Sequence, residues 1–485
     1  MNMQVLFEST LAILPECVLI LAGLLILICA PILKKRWTGS LFLLAISGTV
    51  LSLILNFSRF SGESSAFSGA LVIDSFSAYF NSLFLLAALA TILFSKDHLE
   101  GRTQWLEEFY ALVLFCTSGM MVLASSVELM TLFVGFEIMS IAVYILSGFR
   151  SKSLDSTESG VKYLVLGGFS SAVLLFGIAL LYGATGSTFL EEILKSPGNL
   201  PMYVCGAAFV AVGVIFKIGA VPLHQWVPDI YDGAPLTVTG YMSVAVKAAA
   251  FVLLLRIFLG SAPGFENYMT AAVQIAAVLT MVVGNIAAIY QKSVKRMLAY
   301  SSVAHAGYAL VGVAAVFSDS SVGSGSVLYY LFAYTFMNLG AFGILAYASR
   351  EGNDCDTFER ISGLWSRKPA ASLALGVFMF SLAGIPPTIG FFGKYRVFLA
   401  AVDANLTPLA VIGIIASVIS AYYYLKVLVY AFMREDSYGA SANKPLSGAT
   451  IAVLTAVTVF FGIFPFLSWD LAAQASNTLL AAIAF

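Results

Sequence analysis

The sequence predicts an all-α polytopic membrane protein with about 14 transmembrane helices, two of them broken, arranged as two inverted five-helix repeats. Three observations lead to this prediction. Of the 485 residues, 60% are hydrophobic and 11% are charged, whereas a soluble domain is typically about 25% charged. Apolar runs of roughly 20 residues, the length that spans a bilayer, recur along the whole chain. Gly and Pro interrupt two of these runs.

Charge, cysteine content and motifs exclude several functional classes. The net charge of −1 does not suit a nucleic-acid-binding surface. The five cysteines contain no CxxC pair, so they signal neither a zinc or iron–sulfur site nor a disulfide framework. The sequence also has no Walker A motif, no GxGxxG after a strand and no Ser–His–Asp order. We therefore expect this chain to bind no cofactor.

The first apolar stretch is predicted to be a spanning helix rather than a cleavable signal. It runs from Leu11 to Leu33, longer than the hydrophobic region of a signal peptide, and Lys34, Lys35 and Arg36 follow it. Apolar runs and the polar residues between them then place the whole set of helices. They are predicted near residues 11–33, 38–56, 76–95, 108–125, 127–149, 160–184, 203–227, 235–259, 268–290, 298–318, 325–348, 371–400, 405–432 and 449–467.

The basic residues of the connecting loops fall almost entirely on one side of this path. The sparse side carries only Arg59 and Lys195. Because basic loops stay in the cytoplasm, we predict that the rich side is cytoplasmic and that, with an even number of helices, both termini lie outside. The rich side carries Lys34, Lys35, Arg36, Lys96, Arg102, Arg150, Lys152, Lys162, Lys292, Lys295, Arg296, Arg350, Arg360, Arg367, Lys368, Arg434 and Lys444.

Six further basic residues fall inside predicted helices. They are Lys217, Lys247, Arg256, Lys394, Arg396 and Lys426. Arg256 and Arg396 lie near helix ends, from which long side chains reach the interface. Lys217 and Lys247 lie near the middle of their helices, and Lys394 lies in a long, interrupted one. A lysine at the centre of a spanning helix costs roughly 2.5–3.5 kcal/mol on insertion scales, so these lysines need partners or water.

Glu137, in the middle of the fifth helix, is the acidic residue best placed to partner one of the lysines. In one interpretation, a Lys–Glu pair only pins two helices together, which leaves the other two lysines without a carboxylate. In the other, the lysines and Glu137 form a line of titratable groups across the bilayer midplane. Burial generally lowers the pKa of a lysine towards neutrality, whereas arginine stays protonated, so lysine suits the transfer of protons.

Two predicted helices contain Gly and Pro within the apolar run. The first break lies in 216–229 (FKIGAVPLHQWVPD) and the second in 381–394 (SLAGIPPTIGFFGK). Proline removes a helix hydrogen bond, and free backbone groups are tolerated at this depth only beside protein or water. Paired breaks of this kind, each with a lysine nearby, indicate a transport site.

The two breaks fall in the seventh and twelfth helices, which are five apart and therefore cross the membrane in opposite directions. Helices four to eight and nine to thirteen are accordingly predicted to form two inverted repeats. The chain then divides into four parts: an N-terminal three-helix segment, two repeats, and a C-terminal helix with a tail. Their predicted bounds are 1–107, 108–260, 261–434 and 435–485.

The sequence contains three histidines. We expect His98 in a charged, solvated loop on the cytoplasmic side. His224 follows the first break, and His305 lies within the tenth helix near Ser301 and Ser302. Each of these two is either a satisfied hydrogen-bonding residue or a member of a proton relay, because imidazole titrates near neutral pH.

Taken together, these segments resemble the antiporter-like membrane subunits of respiratory complex I, a family related to subunits of multi-subunit cation/proton antiporters. The resemblance covers nearly the whole chain, and its most specific motif is the P-x-H-x-W-x-P-D of 222–229. Within the family, one subunit type is similar to this chain in three features: its length, its end after fourteen helices, and a lysine at the position of residue 394. The other matching stretches are 136–137, 216–217, 233–235, Lys247, 295–302, 305–308, 382–386 and 393–394.

The resemblance implies roles for individual residues. Glu137 and Lys217 would form a modulating ion pair, Lys247 would be a bridging proton carrier, and Lys394 would be the lysine on the exit side. His305 would lie on the polar axis between them. The implied proton relay therefore comprises Glu137, Lys217, Lys247, Lys394, His305 and His224.

The resemblance also implies a function, a proton-translocating membrane subunit of an NADH–quinone oxidoreductase. NADH, flavin, iron–sulfur clusters and quinone would act in partner subunits, so this chain would belong to a translocase without having a redox centre of its own. Its partners would be other membrane-arm subunits, the lipid bilayer and protons, with no nucleic acid. Two alternatives stay open: a secondary cation/proton antiporter subunit, and a non-transporting structural subunit whose buried charges only lock helices.

Overall fold

The chain folds into a bundle of long apolar helices. Among the described residues, 12 helices are long and apolar enough to cross a membrane, and Leu14–Cys29 and Pro369–Ala383 are shorter apolar helices. This confirms the predicted all-α polytopic class. The computed structural model describes residues 3–32, 38–195, 198–259, 266–318, 320, 322–350, 352–436, 438, 439, 442 and 444–481.

We number the α-helices of these described residues along the chain. They are α1 (Met3–Ala12), α2 (Leu14–Cys29), α3 (Thr38–Phe57), α4 (Ser75–Leu99), α5 (Leu106–Ser125), α6 (Leu129–Ser147), α7 (Leu154–Thr185), α8 (Leu190–Lys195), α9 (Leu200–Ile218), α10 (Trp226–Gly233), α11 (Leu236–Tyr241), α12 (Lys247–Phe258), α13 (Glu266–Ile289), α14 (Val294–Val316), α15 (Gly323–Ala348), α16 (Phe358–Ile361), α17 (Leu364–Arg367), α18 (Pro369–Ala383), α19 (Ile389–Asp403), α20 (Thr407–Met433), α21 (Pro445–Ile463) and α22 (Pro465–Ala481).

Several described elements lie outside the predicted helices, including the short helices α8, α16 and α17. A small antiparallel hairpin pairs β1 (Ser64–Ala66) with β2 (Leu71–Ile73) in the loop before α4. Helix α22 occupies the segment expected to be a tail, and it packs on α4 and α15. Lys34, Lys35 and Arg36, which we predict on the cytoplasmic side, lie outside the described residues.

Local hydrogen bonding explains why the spans begin where they do. The Asp74 carboxylate accepts from the Ser77 N–H at 2.7 Å, and the Ser77 hydroxyl oxygen accepts from the Asp74 N–H at 3.0 Å, which is a complete capping box at the start of α4. Glu128 caps α6 by accepting from the N–H groups of Met130 and Thr131. These caps satisfy backbone donors that have no partner inside the helix.

Small residues bring two pairs of helices into backbone contact. A Cβ added to Gly119 of α5 would lie 2.9 Å from the carbonyl oxygen of Gly135 in α6. A Cβ added to Gly135 would likewise lie 2.9 Å from the carbonyl oxygen of Gly119. Gly177 of α7 and Gly206 of α9 are related in the same way. Membrane helices associate largely through such close packing. The α5–α6 and α7–α9 contacts thereby fix the helices that carry Glu137 and Lys217.

The basic loops meet at one end of the bundle around Asp354, a buried carboxylate in the loop before α16. Arg102 donates to one of its oxygens, and Arg150 donates to the other at 2.7 Å. Burial alone raises the pKa of the Asp354 carboxyl, but the neighbouring His98, Arg150, Lys295 and Arg102 side chains outweigh burial and hold this pKa well below its usual range. The loops on this side therefore share one anionic centre.

The prediction that His98 is a solvated loop residue is wrong. Helix α4 continues to Leu99, beyond the predicted end at 95, so His98 lies in its last turn. The residue is 1% exposed, and its Nε2 lies 3.5 Å from a carboxylate oxygen of Asp354. A charged sequence neighbourhood indicated solvent, but the loop that carries Asp354 covers the ring.

Candidate functional site

Three lysines lie deep inside the helix bundle. Lys217, Lys247 and Lys394 are 2%, 3% and 4% exposed, and His305 is 1% exposed. In the part of the chain that the structure describes, none of the three amines has a carboxylate oxygen within 4.0 Å. Their partners are hydroxyl groups, carbonyl oxygens and aromatic rings.

Lys217 lies in the last turn of α9, inside an aromatic cage. Its amine donates to the Ser140 hydroxyl at 2.8 Å and lies 5.1 Å from the ring centroids of Phe136, Tyr144 and Tyr163. The faces of aromatic rings attract a cation, and the hydroxyl accepts a hydrogen bond. This environment accommodates the amine without a fixed negative charge in contact with it.

Glu137 lies on α6, one turn before Ser140. Residues three apart on a helix share a face, so the carboxyl group lies on the side of α6 that reaches Lys217. Yet the described residues contain no ion pair within 4.0 Å between Glu137 and Lys217, and Glu137 Oε1 accepts no hydrogen bond there. On α6, Glu137 adjoins a stripe of exposed apolar side chains that includes Val134, Ile138 and Ile141.

Lys247 follows a short π-helical segment, Met242–Val246, in the middle of the span Leu236–Phe258. Single π turns inside α-helices recur at functional sites. The amine donates to the carbonyl oxygen of Ser302 at 2.5 Å and to the Ser302 hydroxyl at 2.9 Å. Lys247 therefore attaches its span to α14, the helix that carries His305.

His305 links two tyrosines through its two ring nitrogens. Its Nδ1 lies 2.6 Å from the Tyr330 hydroxyl and its Nε2 lies 2.9 Å from the Tyr424 hydroxyl. The Tyr424 hydroxyl is also hydrogen-bonded to Ser301 at 2.5 Å. Ser301 is the neighbour of Ser302, which holds Lys247. The described hydrogen bonds therefore form two sets, Lys247 with Ser302, and Ser301 with Tyr424, His305 and Tyr330, on adjacent residues of α14.

Lys394 donates hydrogen bonds to the backbone at the second helix break. Its amine donates to the carbonyl oxygens of Leu382 and Ala383 at 2.8 and 3.0 Å, and to the Ser417 hydroxyl at 2.8 Å. Within a helix these two carbonyls would accept from the residues four positions later. Those residues are Pro386 and Pro387, which have no N–H. The lysine therefore replaces the donors that the prolines remove.

The two breaks share one local structure. Gly219 and Gly384 have positive φ angles of 75° and 87°, and the N–H of each bonds two carbonyl oxygens at the end of the preceding helix. Left-handed glycines commonly end helices in this way. A cis X–Pro bond follows in each break, at Pro222 and Pro387.

His224 lies between α9 and α10 and is half-buried. Its Nδ1 is buried without a hydrogen-bond partner among the described residues. No hydrogen bond among the described residues joins this ring to the groups around His305. Of the other basic residues inside helices, Arg256 pairs with both oxygens of Asp74 at 2.9 Å, and Arg396 lies 3.9 Å from the Trp469 ring centroid.

Sequence reasoning missed Ser140, Tyr330 and Tyr424. One signal for Tyr424 was available, because Ser417 and Tyr424 are seven residues apart and so lie on one face of α20. Tyr330 has no such signal, since its neighbours in α15 are aromatic and apolar. No cluster of three or more His, Cys, Asp or Glu side chains among the described residues is placed to hold a metal ion.

Comparison with known proteins gives consistent results. Residues 126–420 match the family described as NADH:quinone oxidoreductase/Mrp antiporter, TM. NADH-quinone oxidoreductase subunit N of Trichlorobacter lovleyi is 39% identical over 471 residues, which cover 96% of each chain. A chain of respiratory complex I from Thermus thermophilus, solved with bound aureothin, superposes with a TM-score of 0.82 at 32% identity, covering 95% of this chain and 99% of that one.

The fold also extends to a second kind of assembly. A chain of the Mrp complex from Dietzia sp. superposes with a TM-score of 0.85, covering 98% of this chain and 97% of that one. At 21% identity, this likeness concerns the fold alone.

Proposed function

Because this chain belongs to the NADH:quinone oxidoreductase/Mrp antiporter transmembrane family, we propose that it is a proton-translocating membrane subunit of an NADH–quinone oxidoreductase. Identity of 39% over nearly the full length of a subunit N supports assembly with the other membrane-arm subunits of such a complex. Reduction of quinone by NADH, through flavin and iron–sulfur clusters, takes place in partner subunits. This chain supplies a path for protons.

One observation supports the proposal: three buried amines inside the helix bundle each donate to neutral hydrogen-bond acceptors. Lys217 is held by Ser140, Lys247 by Ser302 and Lys394 by the carbonyls of the second break. Charged groups inside membrane helices are expensive and are typical of ion pathways. A purely structural role does not require three amines without a contacting carboxylate.

Hydrogen bonds connect only the middle of the proposed path. From Lys247, protons pass to Ser302, then to the adjacent Ser301 and on through Tyr424 and His305 to Tyr330. Hydrogen bonds at 2.5–2.9 Å connect Lys247 with Ser302, and Ser301 with Tyr424, His305 and Tyr330, but none joins the two serines among the described residues. Water bridges the steps from Lys217 to Lys247 and from Tyr330 to Lys394. Hydroxyl groups and imidazole both donate and accept hydrogen bonds, so each can take up one proton and release another.

Coupling to the partner subunits enters at Glu137. A carboxylate near a lysine favours the protonated amine, so a change in the distance from Glu137 to Lys217 changes how firmly that lysine holds its proton. Val134, one turn before Glu137 on α6, is exposed and open to a neighbouring subunit. A movement at that contact therefore acts on the first lysine of the path.

The proposed location is the bacterial inner membrane, with the Asp354 end in the cytoplasm and both termini outside. The excess of Lys and Arg in the loops at that end supports this orientation.

Lys247→Ala in the assembled complex tests the proposal. In inside-out membrane vesicles we expect NADH-driven proton uptake to fall about tenfold or more, because a positioned proton-transfer group contributes at least this much. Lys426→Ala is the matched control, since Lys426 is a half-buried lysine of α20 outside the proposed path. Wild-type pumping and quinone-coupled turnover in a normally assembled Lys247→Ala complex would show that the path is wrong.

The antiporter alternative is supported by the family description, which covers both NADH:quinone oxidoreductase and the Mrp antiporter. Purification separates the two functions, because an NADH-oxidising assembly supports the proposal and a purely membrane-embedded one supports the alternative. For the structural alternative, exchanging the charges of Glu137 and Lys217 is informative. Restored assembly without restored pumping argues against a role limited to locking helices.

A further inference from the structure

A cavity of about 480 Å³ opens at the basic-loop end of the bundle, where α2, α4, α5 and α6 end or begin. This is the depth at which spanning helices meet the headgroups of a bilayer. Trp105, which is 50% exposed, lies at the cavity, and tryptophan is enriched at membrane interfaces. The charged side chains of the lining are Lys96, Glu100, Arg102, Glu107, Arg150 and Lys152.

Two buried hydrogen-bond donors at this cavity have no partner among the described residues. Tyr110 is 1% exposed and its hydroxyl makes no hydrogen bond. Arg150 gives one nitrogen to Asp354, but its buried Nε makes no hydrogen bond. Buried polar groups in proteins are almost always satisfied, so two unsatisfied donors at one cavity indicate that an acceptor enters it. Lys152 is exposed beside them and makes no ion pair within 4.0 Å in the described structure.

An apolar surface continues from the cavity towards the middle of the membrane. Phe115 of α5 packs against Gly23 of α2, and Gly119, one turn later, packs against the backbone of α6. Helices α2 and α6 therefore flank the same face of α5, on which Leu112 and Phe115 stay partly exposed. The walls of this groove carry exposed aliphatic side chains, which are Leu24 and Ile28 on α2 and Ile138, Ile141 and Ile145 on α6.

We propose that this cavity binds the headgroup of a membrane phospholipid. The phosphate accepts hydrogen bonds from Tyr110, Arg150 and Lys152, and the acyl chains lie in the groove between α2 and α6. A phosphate is a strong multiple acceptor that pairs well with guanidinium and ammonium groups. The long apolar groove below the donors selects a lipid over a free anion.

The same lining selects among headgroups. Lys96 pairs with Glu100 at 2.6 Å, whereas Glu107 makes no ion pair within 4.0 Å among the described residues. A free carboxylate in the same cavity as the phosphate donors suits a headgroup that carries an amine. The ligand class is therefore an aminophospholipid such as phosphatidylethanolamine, rather than a phospholipid with a glycerol headgroup.

Native mass spectrometry of the purified complex tests this site. The lipid-stripped complex is titrated with phosphatidylethanolamine, and binding is compared between the wild type and the Tyr110→Phe/Lys152→Gln variant. We expect one bound lipid to be lost, or its affinity to fall roughly tenfold, because hydrogen bonds to a charged group are removed. The matched controls are Tyr329→Phe, another buried tyrosine with an unpartnered hydroxyl, and Lys292→Gln, another exposed lysine. Both controls should bind as the wild type does.

Several outcomes would overturn the proposal. Unchanged lipid binding in the double variant, or an equal loss in the two controls, excludes the site. Displacement of the lipid by excess inorganic phosphate identifies a free-anion site instead. Equal binding of phosphatidylglycerol refutes the choice of an amine headgroup. If the double variant does not assemble, Tyr110→Phe alone, which removes one oxygen, gives the same comparison. Protein density from a neighbouring subunit filling the cavity in a map of the complex also contradicts it.

Discussion

A buried amine that donates only to neutral oxygens can lose its proton without leaving an opposite charge stranded beside it. Lys217, Lys247 and Lys394 are in this situation in the described structure, where Ser140, Ser302 and the carbonyls of the second break accept from them. An ion pair at contact distance would hold the proton on the lysine by Coulomb attraction. Neutral acceptors can hydrogen-bond either form of the amine, which is the property that a relay needs.

Tyr424→Phe tests the connection between Lys247 and His305. It removes the hydroxyl that is bonded to both Ser301 and His305, so we expect NADH-driven proton pumping to fall several-fold while the complex still assembles. Tyr422→Phe is the matched control, because Tyr422 lies on the same helix but is 60% exposed. Proton uptake by inside-out vesicles is the measurement. Equal pumping by the two variants would exclude Tyr424 from the path.

Asp354→Asn tests the anionic centre of the loops. Removing one partner of a buried ion pair typically costs about 3 kcal/mol, and here Arg102 and Arg150 would both lose their carboxylate. Asp356→Asn is the control, because its pair with Arg360 is about a third exposed and such pairs contribute less than about 1 kcal/mol. The midpoint of thermal unfolding should fall clearly only for Asp354→Asn, and similar shifts for the two variants would contradict this.

The broken helices are the elements that place the lysines. Sequence predicts both breaks, because Gly and Pro inside an apolar run are visible without a structure. The sequence predicts one helix over 203–227 and one over 371–400. In the structure, a turn separates two helices at each place, α9 from α10 at the first and α18 from α19 at the second. Hydropathy does not register such turns, since most of the residues within them are still apolar. The π turn before Lys247 has no composition signal either.

Gly219→Ala and Gly384→Ala test the breaks. An alanine in the left-handed region costs about 1–2 kcal/mol, and a Cβ at Gly219 would also lie 2.6 Å from Val227 Cγ2. A Cβ at Gly384 would lie 3.0 Å from Lys394 Cδ and displace that lysine directly. We expect lower thermal stability and weaker pumping for both variants.

Gly376→Ala is the control for this pair, because Gly376 lies within α18 and a Cβ there meets no atom within 4 Å. Alanine in a helix interior is more stable than glycine by up to about 1 kcal/mol, so this variant should be neutral or slightly stabilising. Equal effects of all three substitutions would show that the left-handed turns are not needed.

For the whole molecule, the distribution of basic residues in the sequence corresponds to one physical end of the bundle. Loops far apart in the chain meet there at Asp354, and Lys444 donates to the carbonyl oxygens of Ala346 and Ser349 nearby. Counting Lys and Arg in loops predicts which loops share a side, but it cannot predict these contacts. The contact of His305 with Tyr424 joins residues 119 positions apart, and only the packing of α14 against α20 brings them together.

Cysteine labelling tests the proposed orientation. Lys195→Cys and Lys292→Cys place thiols at exposed positions on opposite sides of the predicted path. A membrane-impermeant maleimide added to intact spheroplasts should label Lys195→Cys, and Lys292→Cys should react only after lysis. The wild-type chain sets the background, to which Cys355 should add little because burial raises its pKa to about 12. The reverse labelling pattern would invert the orientation.

A map of the assembled complex at a resolution that reveals ordered water tests the central claim most directly, namely that the buried amines share one hydrated path. We predict ordered water between Lys217 and Lys247, and again between Tyr330 and Lys394, in hydrogen-bond contact with those side chains. Tightly packed apolar side chains in both gaps, with no water in either, would contradict the account even if every lysine were found where it lies now.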